Sequence, residues 1–349
     1  MANQPRIDIR TSPFIRKAPS VSQIMRNVVY SLLPIAAYAV WQFGISAFAL
    51  MVATVLACVL TEHMFCKLSD KKTTIGDASA IITGLLLAMT LPPGFPLWMG
   101  AVAGFVAIAM GKTLFGGIGF NVFNPALVGR AFIQAAFPVS ITTWTPALAV
   151  NRFVEFIPST LAVPFMKPAA TAEWTTQVSI DGFSGATPLA LMKFQGVFTA
   201  SYDLFIGLTA GSTGETSTLL ILVCGAYLVF RNMLDWRIPA AVIVGTAITA
   251  ECFYLMDATK YPSPIFMIFS GGLMFAAVFM ASDMVASPVT PMGIFVFGLL
   301  VGFLTVIIRL FGGLTEAVMY AILFGNAATP IIESYTQPQI FGYKRKHDE

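Results

Sequence analysis

Charged residues are scarce in this 349-residue chain. They make up 11% of it, whereas soluble domains carry about 25%. The formal net charge is only +3, and the basic residues are spread thinly, so nucleic-acid binding is not expected. Hydrophobic residues account for 57%, and apolar stretches of membrane length recur between positions 28 and 332. Composition therefore predicts an integral membrane protein.

Cysteine and histidine are also rare, which excludes several kinds of site. The four cysteines are Cys58, Cys66, Cys224 and Cys252. They fall in or beside apolar segments and form no CxxC motif, so a disulfide framework, or an iron–sulfur or zinc site built by this chain alone, is not expected. The only histidines are His63 and His347, so no Ser–His–Asp nucleophile set is available.

Nucleotide-binding motifs are incomplete. Gly117-Ile118-Gly119 lacks the third glycine of a dinucleotide fingerprint. The segment 211–217 resembles a phosphate-binding loop but has Glu215 where the lysine belongs. Nicotinamide or nucleotide chemistry within this chain is therefore not expected.

The hydrophobic pattern predicts an all-α membrane protein with about ten transmembrane elements and a long outer loop. The elements are 28–43, 45–66, 77–91, 97–111, 121–138, 215–230, 238–256, 264–283, 292–310 and 314–332. The third and fourth, on either side of 92–96, are shorter than the roughly 20 residues that a straight span needs. Such broken or half helices are tolerated only where protein or a cavity surrounds their free backbone groups.

Basic residues predict the orientation. With a cytoplasmic N-terminus, fourteen Lys and Arg lie inside and five outside. Residues 1–28 include five basic residues but no apolar core with a cleavage site, so the first helix is expected to be the insertion signal. The predicted segments are a cytoplasmic start (1–27), five helices (28–138), an outer loop (139–204), five more helices (205–333) and a cytoplasmic tail (334–349).

The two sets of five helices resemble each other. Glu62 and Glu251 end similar stretches, and Gly84 and Gly272 follow them by 22 and 21 residues. Because five is an odd number, the second set would cross the membrane in the opposite direction, as in transporters with inverted repeats. Chance matching of glycine- and leucine-rich segments is the alternative.

Three acidic residues fall within or at the ends of apolar elements. They are Glu62, Glu251 and Asp283. A carboxylate at the centre of a membrane helix costs at least about 2.5–3.5 kcal/mol, so such residues normally face a cavity, a partner or an ion. We expect them to line a cation path or to bind a cofactor. The alternative is that they pair with polar groups at helix ends and only orient the bundle.

Two amides open the fifth element. Asn121 and Asn124 precede Pro125, so capping of the helix explains them on its own. Two amides also offer the mixed donors and acceptors that the edge of an isoalloxazine ring requires. Both interpretations stay open.

The outer loop contains the run Ser184-Gly185-Ala186-Thr187 within 181–190. This stretch resembles the flavin-attachment motif of the Rnf and Nqr electron-transport complexes. Further resemblance lies in 77–80, 90–93, 123–127, 211–217 and 280–283. Nearly the whole chain, about 25–335, is thus similar to the family that contains the Rnf D protein and its homologue, the B protein of the sodium-pumping NADH:quinone oxidoreductase. The short N-terminus and the long loop before Thr187 favour the Rnf branch.

The resemblance implies two flavins. A flavin transferase would esterify the phosphate of FMN onto Thr187, with Gly185 and Ala186 keeping the approach open. A non-covalent riboflavin would lie within the bundle, near Asn121 and Asn124. The family's acidic membrane residues, tied to ion movement, match Glu62, Glu251 and Asp283.

The resemblance also implies a function and partners. The chain would pass electrons between NADH and ferredoxin, coupled to Na⁺ or H⁺ translocation, within a complex in the bacterial inner membrane. Its partners would be the Rnf A, B, C and E proteins and the outer flavoprotein RnfG, with NADH and iron–sulfur chemistry on those other proteins. The alternatives are the quinone-reducing homologue, a non-redox transporter or channel, and a purely structural membrane protein.

Overall fold

The computed structural model describes residues 20–70, 74–166, 168–169, 171, 174–175, 186–207, 209–215, 217–258 and 260–338. Within these ranges the chain forms helices and turns and no strand. The motif residues Ser184 and Gly185 lie outside them.

Six helices precede the outer segment. They are α1 (Val21–Phe43), α2 (Ile45–Leu68), α3 (Ser79–Thr90), α4 (Leu97–Ile108, continuing as a π-helical turn over Ala109–Thr113), α5 (Pro125–Ala136) and α6 (Pro138–Ile141). A 3₁₀ turn, Ile75–Asp77, leads into α3. Helix α1 begins earlier than the predicted position 28 because the Ser20 side chain accepts a hydrogen bond from the Gln23 amide and caps it.

The described part of the outer segment includes the short helices α7 (Pro188–Gln195) and α8 (Ser201–Ile206). The second half follows with α9 (Thr218–Phe230), α10 (Arg237–Met256), α11 (Pro264–Phe269), α12 (Leu273–Phe275, continuing as a π-helical turn over Ala276–Met280), α13 (Pro291–Phe311) and α14 (Val318–Thr336).

Four of these helices are long and apolar enough to cross a membrane. They are α1, α2, α10 and α13. Shorter apolar helices are α3, α4 with its π turn, and α9. The expectation of a helical membrane protein is confirmed, and α3 and α4 have only 12 residues each, as expected of half helices. The exact number of ten spans stays a prediction.

The predicted element 264–283 was wrong as a continuous span. The stretch 264–283 is not a single helix, because α11 ends at Phe269 and α12 begins at Leu273. Between them Gly271 has a φ of +63°, a left-handed conformation that L side chains rarely adopt. The backbone therefore breaks at a glycine, and the chain has a second broken helix.

Helix neighbours correspond between the halves. Helix α2 packs against α3 and α4, and α10 packs against α11 and α13. Helix α4 also packs on α5, as α13 packs on α14. This correspondence agrees with a repeat, while the inverted orientation of the second half stays a prediction.

The first break is covered by other parts of the chain. The Ser159 hydroxyl donates to the Gly94 carbonyl at 2.6 Å, and the Leu97 amide donates to Thr160 O at 3.1 Å. The amide and hydroxyl of Thr213 donate to Leu91 O at 3.1 and 2.6 Å. Protein groups thus satisfy the backbone that the broken helix leaves free.

Candidate functional site

Thr187 begins helix α7. Its Oγ1 accepts a hydrogen bond from the Ala190 amide at 3.3 Å, and Pro188 occupies the first helical position. The residue is only 2% exposed. The cap contact uses an acceptor lone pair of the hydroxyl and leaves its proton free, so an ester at this oxygen is compatible with the same local structure.

A cavity of about 270 Å³, named here the outer cavity, is lined by residues close to Thr187 in sequence, while Thr187 itself is not among its lining residues. Its lining includes Ala186 and Ala190, which flank the threonine in sequence, the aromatic Trp144 and Phe194, and the charged Arg130 and Glu316. A phosphate is favoured near a helix N-terminus, where backbone amides are unpaired and the helix dipole is positive. The start of α7 and the cavity lining thus offer group types that suit a phosphate and an aromatic ring.

Four charged side chains lie buried close to this cavity. Arg130 and Glu215 form an ion pair, with 3.3 Å between Nη1 and Oε1. The guanidinium of Arg309 donates to Met267 O at 2.6 Å and to Ser270 O at 3.0 Å. It thus satisfies the carbonyls that the break after α11 leaves free. Glu316, the fourth, is 8% exposed.

Helix α7 contacts this charged region. The ammonium of Lys193 donates to Arg309 O at 2.8 Å and also to Gly312 O. Burial lowers the pKa of Lys193. Lys193 therefore ties the helix that begins at Thr187 to the end of α13, which also carries Arg309.

Elsewhere in the bundle, Glu62 belongs to a polar network. Lys112 Nζ donates to Glu62 Oε1 at 2.7 Å and to Ser79 Oγ at 2.6 Å. The Ser79 hydroxyl in turn donates to Asp77 Oδ1 at 2.7 Å, and the Thr74 hydroxyl donates to Glu62 Oε1. Glu62 and Lys112 are 4% and 5% exposed, so the pair is buried.

A second cavity, of about 260 Å³ and named here the inner cavity, adjoins this network. Its polar lining includes Lys112, Asn121, Asn124 and Asp283, and most of its surface is apolar. Asn121 Nδ2 donates to Asp283 Oδ2 at 3.3 Å. A mainly apolar cavity with a few convergent polar groups is the usual form of a small-molecule site.

The two asparagines have structural partners as well. Asn124 Oδ1 accepts from the Ala126 amide at 3.0 Å and caps α5, and its Nδ2 donates to Met280 O at 3.2 Å. The capping interpretation is therefore confirmed for Asn124, and α5 begins at Pro125 instead of 121. Both asparagines also line the cavity, so a role toward a ligand stays a prediction.

The three predicted ion-path residues have different surroundings. Glu62 is buried against Lys112, and Asp283 lies in the inner cavity beside Asn121. Asp283 follows the π turn of α12 instead of lying within a helix. Glu251 is exposed on α10 and is not among the residues lining that cavity. The structure thus brings Glu62 and Asp283 to one region and leaves Glu251 apart.

Two basic residues were misplaced by the sequence pattern. Lys112 and Arg309 count as loop residues in the charge bias, yet Lys112 lies in the π turn and Arg309 in α13, both buried. The bias without them is thirteen against four, so the predicted orientation is unchanged. Their importance was missed because only their positions near apolar ends, and not their partners, are visible in the sequence. The sequence alone marked Glu316 only as a single acidic residue in an apolar region, which did not predict a role for it.

Comparison with known proteins identifies one family and several relatives of this chain. The family described as "NQR2, RnfD, RnfE" matches residues 8–342. The chain is 38% identical to the D component of the "Proton-translocating ferredoxin:NAD(+) oxidoreductase complex" of Clostridium ljungdahlii, covering 97% of this chain and 96% of that protein. It is also 38% identical, with the same coverage, to the D component of the "Na(+)-translocating ferredoxin:NAD(+) oxidoreductase complex" of Acetobacterium woodii. Identity to the D component of the "Ion-translocating oxidoreductase complex" of Alcanivorax borkumensis is 34%, over 96% of both chains.

Proposed function

Because this chain belongs to the NQR2, RnfD, RnfE family, we propose that it is the D component of an ion-translocating ferredoxin:NAD oxidoreductase complex of the Rnf type. Relatives with that name align over nearly their whole length. The four apolar helices and the broken helices support a membrane-embedded component. The incomplete nucleotide motifs agree with NADH and iron–sulfur chemistry being on other proteins of the complex.

The observation that carries the flavin part of the proposal is the position of Thr187. It caps α7, and Ala186 and Ala190 on either side of it in sequence line a cavity with aromatic and charged residues. We propose that FMN is esterified there by a flavin transferase, with Ala186, and with Ser184 and Gly185 of the same motif, forming the approach. Bound FMN would supply electron exchange on the outer side of the membrane. Trp144 and Phe194 would exclude water from its ring.

The inner cavity is the proposed site of a non-covalent riboflavin. Asn121, Asn124 and Lys112 would orient its polar edge, and apolar residues such as Phe279 would cover the ring. Asp283 accepts a hydrogen bond from Asn121 and so fixes that amide. Asp283 would therefore act at the flavin site as well as on the ion path.

The proposal includes coupling to a cation. The two relatives at 38% identity are named for H⁺ and for Na⁺, so similarity favours neither ion. Glu62, Glu251 and Asp283 remain the proposed ion-path residues, with Glu62 and Asp283 near the inner cavity. The proposed partners are the Rnf A, B, C, E and G proteins in the bacterial inner membrane, with both termini cytoplasmic and Thr187 outside.

The test is in-gel flavin fluorescence. The chain would be co-expressed with its complex and a flavin transferase, denatured and separated on a gel. We expect a fluorescent band for the wild type and for Thr187→Ser, which keeps the hydroxyl. Thr187→Asn should show none, because asparagine preserves the helix cap but offers no hydroxyl for an ester.

The pair of variants separates attachment from folding. Ser and Asn are both good N-cap residues, so both variants should assemble into the complex equally well. A fluorescent band in Thr187→Asn, or none in a wild-type chain that mass spectrometry shows to be otherwise intact, would refute attachment at Thr187.

A further inference from the structure

One stretch of the outer segment, 148–157, packs against the turn that joins α1 to α2. The Arg152 carbonyl accepts a hydrogen bond from the Ile45 amide at 2.9 Å. Gly44, the single residue between the two helices, has a φ of +76°, and a Cβ there would lie only 1.9 Å from Arg152 O. The backbone at Arg152 is therefore fixed directly against the ends of α1 and α2.

This turn lies at a surface of the membrane. Helices α1 and α2 have 23 and 24 residues, and both are long and apolar enough to cross a membrane. At a rise of 1.5 Å per residue, each has about the length of the hydrocarbon core. Two spans joined by one residue must turn where that core ends. The stretch 148–157 is therefore held at the membrane boundary, which is the outer one in the predicted orientation.

Apolar and aromatic side chains are exposed at this boundary. Val150 and Phe153 are more than half exposed, and Val154 is 80% exposed. Trp41, in the last turn of α1, is also exposed, and its ring lies 5.5 Å from that of Tyr38. Tryptophan and tyrosine are enriched where membrane helices meet the lipid headgroups. The end of α1 and this stretch together thus present a surface suited to the headgroup layer.

The Arg152 guanidinium contacts two of these exposed rings. Its central carbon lies 5.9 Å from the centroid of the Trp41 ring and 4.8 Å from that of Phe153. Nε donates to Trp41 O at 2.8 Å, and Nη1 donates to Ala149 O at 3.4 Å. Nη2 donates to no group in the described part of the chain. The charge is therefore held in place while donor capacity remains.

No carboxylate among the described residues pairs with this charge. Glu155 is the acidic residue closest in sequence, and it is exposed and forms no ion pair with Arg152. The anions that are abundant at a membrane boundary are the phosphates of the lipids. Arginine suits a phosphate because its planar group can donate two parallel N–H bonds to it.

We propose that Arg152, Trp41 and Phe153 form a binding site for a phospholipid. Arg152 donates to the phosphate, while the two rings and Val154 contact the glycerol and the upper acyl chains. A lipid fits better than a partner protein because Trp41 belongs to a membrane-spanning helix, so the site opens beside the headgroups. The bound lipid would anchor the outer segment to the membrane surface.

The test is photocross-linking of the assembled complex in its own membrane. The photoreactive analogue p-benzoylphenylalanine is incorporated at position 153 in place of phenylalanine, and the membranes are irradiated. Mass spectrometry of the peptide that contains position 153 should show an added mass equal to that of a phospholipid. A cross-link to another polypeptide instead of a lipid, or no lipid adduct, would overturn the proposal.

Substitution of Arg152 tests the phosphate contact. With the cross-linker in place, Arg152→Gln should lower the yield of lipid adduct roughly tenfold, because a hydrogen bond to a charged group is lost. Arg152→Lys keeps the positive charge and should retain more of the adduct than Arg152→Gln. Glu155→Gln, which changes the neighbouring exposed charge, should leave the yield unchanged. Equal yields in Arg152→Gln and the chain with Arg152 intact would overturn the site.

Lipid retention provides a measurement without the cross-linker. Native mass spectrometry of the detergent-purified complex should find one phospholipid more on the wild type than on Arg152→Gln, and equal lipid numbers would contradict the proposal. Arg152 and Phe153 line neither the inner nor the outer cavity, so the fluorescent flavin band should be the same in both samples. Absence of that band in the wild type would refute flavin attachment and leave the lipid site standing.

Discussion

Leu189 packs directly over Gly271, at the break between α11 and α12. A Cβ at Gly271 would lie 2.6 Å from Leu189 Cδ1, so only the absence of a side chain allows this contact. Leu189 is in the first turn of the helix that Thr187 caps. Helix α7, which Thr187 caps, therefore packs on a broken helix.

Gly271→Ala should destabilise the protein. The added methyl group meets Leu189, and the backbone φ of +63° is unfavourable for alanine. We expect a loss of roughly 1–3 kcal/mol, from strain and overpacking together. The measurement is the melting temperature of the detergent-solubilised complex.

The matched control for that substitution is Gly313→Ala. A Cβ there meets nothing within 4 Å, and its φ is not in the left-handed region. Its melting temperature should equal that of the wild type. Equal melting temperatures for both variants would show that the close approach at Gly271 is not a constraint.

Lys193→Met should loosen α7 from α13. The substitution keeps an aliphatic side chain but removes the ammonium that donates to Arg309 O and Gly312 O. Hydrogen bonds to charged groups contribute about 1.5–3 kcal/mol, so the backbone amides of residues 189–195 should exchange roughly tenfold faster or more. Hydrogen–deuterium exchange with mass spectrometry measures this.

Lys260→Met is the control for Lys193→Met. Lys260 is exposed and lies over the Tyr261 ring at 5.5 Å, without carbonyl contacts to α13 in the described part of the chain. Exchange in α7 should be unchanged in it. If Lys193→Met leaves exchange in α7 at the wild-type rate, the ammonium does not hold the helix in place.

Much of the architecture could be predicted from hydrophobic pattern and turn chemistry. The short pair α3 and α4 follows from the proline-rich break at 92–96, and Asn124 and Pro125 mark the start of α5. These features are local, because capping and backbone restriction act within one helical turn. The break at Gly271 was missed because apolar residues continue on both sides of it.

The charged pairs could not be predicted in the same way. Lys112 is 50 residues from Glu62, and Arg130 is 85 residues from Glu215. Hydropathy places a lysine near the end of an apolar run in a loop, whereas a buried carboxylate holds Lys112 inside the bundle. Such partners depend on how the helices pack, and hydropathy along a single sequence does not reveal that packing.

Asn124→Ala should cost more than Asn121→Ala in stability. Asn124 caps α5 and donates to Met280 O, whereas Asn121 donates to Phe123 O and Asp283 at 3.3 Å each. Loss of an N-cap costs about 1 kcal/mol, and the lost bond to the π turn adds to it. The melting temperature of the complex is the measurement.

Asn124→Ser separates the two roles of this residue. Serine restores the cap but does not reach Met280 O, so its melting temperature should lie between those of the wild type and Asn124→Ala. Release of non-covalent flavin on denaturation would be measured in the same samples. Flavin content equal to wild type in Asn121→Ala and Asn124→Ala would argue against the inner cavity as the riboflavin site.

Lys112→Met should destabilise the protein more than the double variant Lys112→Met with Glu62→Gln. Removing only the lysine leaves a buried carboxylate without its cation, which costs about 3–5 kcal/mol. Replacing the glutamate as well removes that charge, so part of the lost stability should return. A double-mutant cycle on melting temperatures gives the coupling, and independent, additive effects would mean that the two side chains do not interact.

A strong coupling would further predict that Glu62 cannot take up a translocated cation unless Lys112 moves away. The reason is that Lys112 Nζ already compensates Glu62 Oε1, while Glu62 Oε2 remains without a partner in the described part of the chain. Cation uptake by proteoliposomes should then fall in Glu62→Gln and also change in Lys112→Met, and unchanged uptake in both would exclude this pair from the path.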